Sequence, residues 1–218
     1  MPITTRKRAF TLYELLFVIA ALGALVMLWP LGQVRMPKQQ FCINYLKQIG
    51  TGYRLWANDH DEKLPMQLST NAGGTSEYTH AGQAYLHFLA ASDEITSPRA
   101  IVCPEDRKRV AARDFSTNPV LFNNSNVSYF INLKAEGAIS NTILAGDRHL
   151  NVPQGRGDLF AIRRDSRAAW TKELHTKWGA NGNVLIVDGS VQQFSNRQLQ
   201  GWFNQNTNDH LFHFPNLR

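Results

Sequence analysis

The 218-residue chain is poor in cysteine, in charge and in catalytic signatures. Its two cysteines, Cys42 and Cys103, have no second ligand at metal spacing, which argues against a zinc site. No Gly-x-Ser-x-Gly elbow and no His-Glu-x-x-His pattern occurs, so His149, His175, His210 and His213 lack the framework of a hydrolase. Charged residues make up 18% of the chain and apolar residues 43%, a balance that excludes disorder and suits a packed body. There is no internal repeat and no low-complexity tract. The net charge is +6, but Arg6, Lys7 and Arg8 supply three of those charges ahead of an apolar run. The other basic residues, such as Arg107, Lys108, Arg109, Arg163, Arg164 and Arg167, alternate with acids and read as a solvated surface. No nucleic-acid partner is expected.

What is present is one long apolar stretch. From Phe10 to Leu31 the only formal charge is Glu14. About 22 residues at roughly 1.5 Å each reach across a hydrocarbon core of about 30 Å, so a transmembrane helix over 10–31 is predicted. The basic residues before it should stay cytoplasmic, which places the rest of the chain outside. A cleaved secretory signal has a shorter apolar core of about 7–15 residues, and Trp29-Pro30-Leu31 makes a poor cut site. The expectation is a single-pass protein of the cytoplasmic (inner) membrane with an extracytoplasmic domain, in contact with the lipid bilayer. A carboxylate within such a helix costs about 2.5–3.5 kcal/mol, so Glu14 should have a partner or a role.

The residues Ala9-Phe10-Thr11-Leu12-Tyr13-Glu14-Leu15-Leu16-Phe17-Val18-Ile19-Ala20 closely resemble the N-terminal signature of type IV prepilins and type II secretion pseudopilins. The resemblance implies cleavage between Ala9 and Phe10 by a prepilin peptidase and N-methylation of Phe10. It implies that Glu14 neutralises the N-terminal amine of a neighbouring subunit during fibre assembly, where low dielectric strengthens the pair. The family normally has Gly where this chain has Ala9.

Past Pro30 and Pro37, the residues Phe41, Tyr45, Ile49, Tyr53 and Trp56 recur at three- or four-residue spacing, an amphipathic continuation of the stem over 32–58. Gly50 and Gly52 should weaken it. Asn58 to Lys63 forms a polar stop, 69–82 a surface loop, and 83–91 a short helix. Strands are predicted at 100–103, 127–133, 141–145 and 159–162. Asp188-Gly189 between apolar strands predicts a two-residue type I′ hairpin, followed by a helix over about 196–204. The predicted fold class is α+β and pilin-like: a long N-terminal transmembrane and stem helix packed on a small, mostly antiparallel sheet. The organisation is a basic leader (1–9), the transmembrane helix (10–31), the stem (32–58) and a globular domain (59–218).

A second resemblance runs through Cys42-Ile43-Asn44-Tyr45-Leu46-Lys47-Gln48-Ile49-Gly50, Val102-Cys103-Pro104, the stretch from Asn141 to Asp147, and that from Asn183 to Val191. These are similar to a large group of bacterial prepilin-like proteins marked by a His, nine residues, then Asp-Gly. Counting back from Asp188 puts that histidine on Trp178, and the nearest real one is His175. A tryptophan there suits packing over the hairpin better than catalysis.

Several readings stay open. Cys42 and Cys103 either form a disulfide tying the stem to the sheet or remain two buried thiols. The loop Asp59-His60-Asp61-Glu62 reads as solvated helix-ending charge rather than a hard-cation site. Asp147 and Asp188 read as turn residues. The tail from His210 to Phe214 reads as domain packing. No metal, cofactor or enzymatic activity is expected. The functional expectation is a structural subunit, processed by a prepilin peptidase and assembled with like subunits into a pilus or secretion pseudopilus. The alternative is a non-polymerising membrane-tethered binding module.

Overall fold

The structure, a computed structural model, describes residues 11–28, 38–80, 82–136, 141–152, 158–162, 166–175, 179–206 and 210–216. The chain divides into two units, 1–36 and 37–218.

The first unit contributes α1 (Leu12–Leu28), whose Leu, Ala and Met content favours helix. Thr11 and Glu14 start it as a reciprocal capping box. Glu14 Oε2 accepts from Thr11 N and Thr11 Oγ1, both at 2.9 Å, and Glu14 N donates to Thr11 Oγ1 at 3.4 Å. Side chains from Thr11 to Leu25 are exposed all round the helix.

The second unit opens with α2 (Lys38–Asn58), a separate helix. Among the described residues no helix is long and apolar enough to cross a membrane. α1 has 17 residues, roughly 25 Å at the α-helical rise, short of a hydrocarbon core of about 30 Å. α2 has 21 residues, but Lys38, Lys47 and Arg54 interrupt it and one face is buried in its own domain. The expected long transmembrane and stem helix is therefore overturned. The pilin-like arrangement, the membrane assignment and the single-pass inner-membrane placement that depended on it go with it.

The buried stripe of α2 is Cys42, Leu46, Ile49, Tyr53 and Trp56; Tyr45 packs partly buried against the same core, and Phe41 is exposed. Gly50 is a point of close approach rather than a weak spot. A Cβ there would stand 2.7 Å from Leu185 Cδ1, so a larger residue would require the Leu185 side chain to shift.

The sheet has six strands in the order β4-β8-β1-β2-β6-β7, all paired antiparallel. Its members are β1 (Tyr129–Asn132), β2 (Ile143–Asp147), β4 (Leu159–Ile162), β6 (Asn181–Ile186), β7 (Val191–Ser195) and β8 (His210–His213). A two-stranded ladder pairs β3 (Leu150–Asn151) with β5 (Ala169–Trp170). Short helices α3 (Ala84–Leu89) and α4 (Ser92–Ile95) and the later α5 (Asn196–Gln205) complete the unit. The stretch expected as a strand at 100–103 is instead a 3-10 turn, Pro98–Ile101, with Pro98 at its start where a missing amide costs nothing.

Both faces of the sheet are covered, which is why β1 and β2 are buried throughout. Tyr129, Ile131, Leu185 and Val187 join the core under α2, while Phe130, Val184 and Ile186 join the opposite core with Trp202 and Phe203 of α5. A bulge at Leu144 shifts the β2–β6 register, Ile143 opposing Ile186 and Ala145 opposing Leu185. It leaves both Leu144 and Ala145 on the α2 side and so sets which face the following Asp147 occupies.

Candidate functional site

Asp147 ends β2 opposite Tyr129 of β1, beside Asn183 of β6, and is wholly buried. Its Oδ2 accepts from Asn183 N at 2.7 Å, from Asn183 Nδ2 at 3.0 Å and from His175 Nε2 at 3.0 Å. His175, 1% exposed, has a left-handed backbone (φ 55°), unusual for a residue with a side chain. Its amide donates to Glu105 Oε2 at 3.0 Å. Its Nδ1 lies 3.0 Å from that same oxygen, close enough for charge pairing though not aligned as a hydrogen bond. Burial disfavours a charged ring, but Asp147 and Glu105 outweigh it and hold His175 above the ordinary histidine value.

Around this pair lie several buried polar atoms without a hydrogen-bond partner: Asp147 Oδ1, Asn183 Oδ1, Tyr129 Oη and Ser128 Oγ. His149 packs at a tilt against Trp170 and 5.7 Å from the His175 ring, its Nε2 3.0 Å from Asn181 O; burial holds it below the ordinary histidine value. Cys42 and Cys103 are joined by a disulfide, which fastens α2 to the loop entering the sheet. A ring nitrogen of His175 and both sulfurs lie within 4.8 Å of one another. Toward solvent an ion network closes the cluster. Arg148 grips Asp106 with two bonds (2.6 and 2.7 Å) and reaches Glu173 at 2.8 Å, while Lys108 meets Glu173 at 2.9 Å. Arg148 and Lys108 hold the Glu173 carboxyl down to about 2.

A second buried polar cluster sits at α3 and β8. His87 Nδ1 lies 2.8 Å from Thr75 Oγ1, and its Nε2 lies 3.1 Å from Tyr78 O and from His213 Nδ1. Burial, reinforced for His87 by the neighbouring ring, pushes His87 down to about 3 and His213 down to about 4.

The sequence-predicted residues fall in different places. Glu14 is on the first turn of α1, engaged with Thr11. Ala9, Phe10 and Trp178 lie outside the described residues. His175, not position 178, is the histidine that meets Asp147, and Asp147 is a buried acceptor rather than a turn residue. At the hairpin, Gly189 N donates to Ile186 O and Ile186 N to Ser190 O, and of the loop only Gly189 has positive φ (87°). A type I′ turn needs positive φ at both central residues, so the expected two-residue turn is replaced by a three-residue loop with a glycine bulge. Asp188 secures it by accepting from Ser190 N at 2.8 Å, and its carbonyl accepts from Arg54. The loop at Asp59 to Glu62 gathers no ligand set; among the described residues the one His, Cys, Asp or Glu group placed to hold a metal is Cys42, Cys103 and His175. A shallow cleft lined by Arg54, Asn58, Glu62 and Asp188 includes none of these.

Comparison with family models, curated proteins and solved structures finds no match for the chain.

Proposed function

We propose that this chain is a prepilin-like structural subunit, cut between Ala9 and Phe10 by a prepilin peptidase, methylated at Phe10 and assembled with like subunits into a fibre of pilus or secretion-pseudopilus type. The observation that carries this reading is α1. Leu12, Tyr13, Leu15, Leu16, Phe17, Val18, Ile19, Leu22 and Leu25 are all exposed on one helix, a contiguous apolar surface of the kind that marks an interaction site. Packing against copies of itself covers such a helix on every side, and head-to-tail packing that does not close gives a fibre. The resemblance of residues 9–20 supplies the processing step, and the disulfide-tied unit from Pro37 onward supplies the part displayed on the fibre.

The structure sharpens the test. Glu14→Ala removes a carboxylate and also a helix cap, whereas Thr11→Ala removes the cap alone. Fibre yield should be abolished by Glu14→Ala and retained by Thr11→Ala. Equal loss in both variants assigns Glu14 to capping and overturns its assembly role. Mass spectrometry should find methylated Phe10 at the mature N-terminus; an intact Met1 start in cells with an active prepilin peptidase overturns the whole reading.

A further inference from the structure

The disulfide and the histidine beside it bring three potential metal-ligating side chains together. Cys42 Sγ, Cys103 Sγ and a ring nitrogen of His175 lie within 4.8 Å of one another, and all three side chains are buried. Each His175 ring nitrogen also faces a carboxylate oxygen at 3.0 Å, Nε2 toward Asp147 and Nδ1 toward Glu105. A neutral imidazole has one N–H, so it can satisfy only one of these two carboxylates. The arrangement demands a positive charge at or beside the ring. Asp147 Oδ1 and Asn183 Oδ1 add further buried acceptors with no donor. In the disulfide form the ring nitrogen without a proton has nothing to offer the carboxylate it faces. With the sulfurs reduced, a cation answers the demand, because two thiolates add negative charge to the same buried space.

We propose that reduction of the Cys42–Cys103 disulfide converts this cluster into a site for a thiophilic divalent cation, zinc above all, bound by both thiolates and one nitrogen of His175. The conversion balances with a dithiol as reductant. The dithiol gives two electrons and two protons, becomes its own disulfide, and leaves two cysteine thiols. Zinc binding then releases both thiol protons to solvent. Whichever His175 nitrogen takes the metal, the carboxylate at the other nitrogen orients the ring, the arrangement usual around zinc-bound histidines. Hard cations are disfavoured, since calcium and magnesium require mostly oxygen ligands. The Cys42–Cys103 linkage is thus a two-state element, one state a covalent tie and the other a metal tie between the same two segments. This goes beyond the fibre reading and does not depend on it.

The test uses the full chain, unfolded and reduced with a phosphine, then refolded with and without Zn2+ or Co2+ alone. Wild type should take up one metal per chain, show a thiolate-to-cobalt charge-transfer band with tetrahedral d–d bands, and release cobalt to zinc. The oxidised chain should take up none at this site. Cys42→Ser should abolish the band. Asp147→Asn and Glu105→Gln, which keep both sulfurs and the ring, should each fold, and one of them should weaken zinc binding about 10–100-fold. Refolding that succeeds only with zinc supports the site. Metal bound without the thiolate band, a band unchanged in His175→Ala, or a reduced chain that neither folds nor responds to zinc overturns it.

Discussion

Two buried histidine clusters in one domain solve opposite problems. His175 sits between Asp147 and Glu105, and His87 sits against a second imidazole, His213. Both rings are almost fully buried, so burial alone would drive both toward neutrality. The neighbours decide. Two carboxylates keep His175 above its ordinary value, while burial, reinforced for His87 by the neighbouring ring, pushes His87 down to about 3, and burial pushes His213 down to about 4 against the opposing pull of Asp158. What differs for His175 is that two carboxylates outweigh its burial, whereas burial prevails at His87 and His213.

The largest expected effect comes from removing that charge. Asp147→Ala leaves the buried His175 ring facing Glu105 alone and strips the acceptor from the Asn183 amide as well. With the disulfide intact, denaturant unfolding should show a loss of about 3–5 kcal/mol, as for other buried pairs deprived of one partner. A loss under 1 kcal/mol would mean that His175 is neutral, and the contrast between the clusters would collapse.

Titration should separate them next. A histidine raised in the folded state stabilises most below the unfolded value of about 6.5, and that stability fades as pH rises through the folded value. His87 and His213 have the reverse sign. Their contribution is complete above about 6.5 and is lost as pH falls toward about 4 and then about 3, because the unfolded chain takes up protons that the folded one refuses. Unfolding free energy measured from pH 4 to 9 should therefore fall on both sides of a maximum. His175→Gln should flatten the alkaline fall, and His87→Gln the acid one. If His175→Gln alters the acid limb instead, the assignment of charge to that ring is wrong.

How much of this could be read in the residues depended on range. The Asp188-Gly189 hairpin is a local signal, and both strands form beside it; the turn type was missed because Val187 joins the loop, making it three residues long. At the start of α2 the spacing places Phe41 on the apolar face, whereas Cys42 and Leu46 are the buried residues, with Tyr45 partly buried beside them. The long apolar run was legible as a helix, but its apolar character does not fix its length, and the described helix stops at Leu28. Counting a fixed spacing back from Asp188 led to Trp178, whereas contact chemistry selects His175, three residues earlier. Pairing to a carboxylate tolerates a change in loop length that a spacing rule does not. The His87–His213 contact joins residues 126 apart and left no pattern in the chain at all.

The smallest of these effects tests the proton positions of the neutral cluster. Tyr78 O can only accept, so the His87 nitrogen facing it, Nε2, must carry the proton. Nδ1 is then an acceptor, and the Thr75 hydroxyl at 2.8 Å must be its donor. Thr75→Val keeps the shape and deletes that donor, leaving Nδ1 unsatisfied at a cost of roughly 1–3 kcal/mol. Thr75→Ser should restore most of it. Because the lost bond had favoured the neutral ring, Thr75→Val should also raise the folded-state His87 value, so that the acid limb still begins at about 6.5 but becomes shallower and ends at higher pH, which loss of packing alone would not do. An unmoved acid limb would reverse the proton assignment, with Nδ1 donating to Thr75 and Nε2 bare toward Tyr78, and two acceptors would then face each other across 3.1 Å.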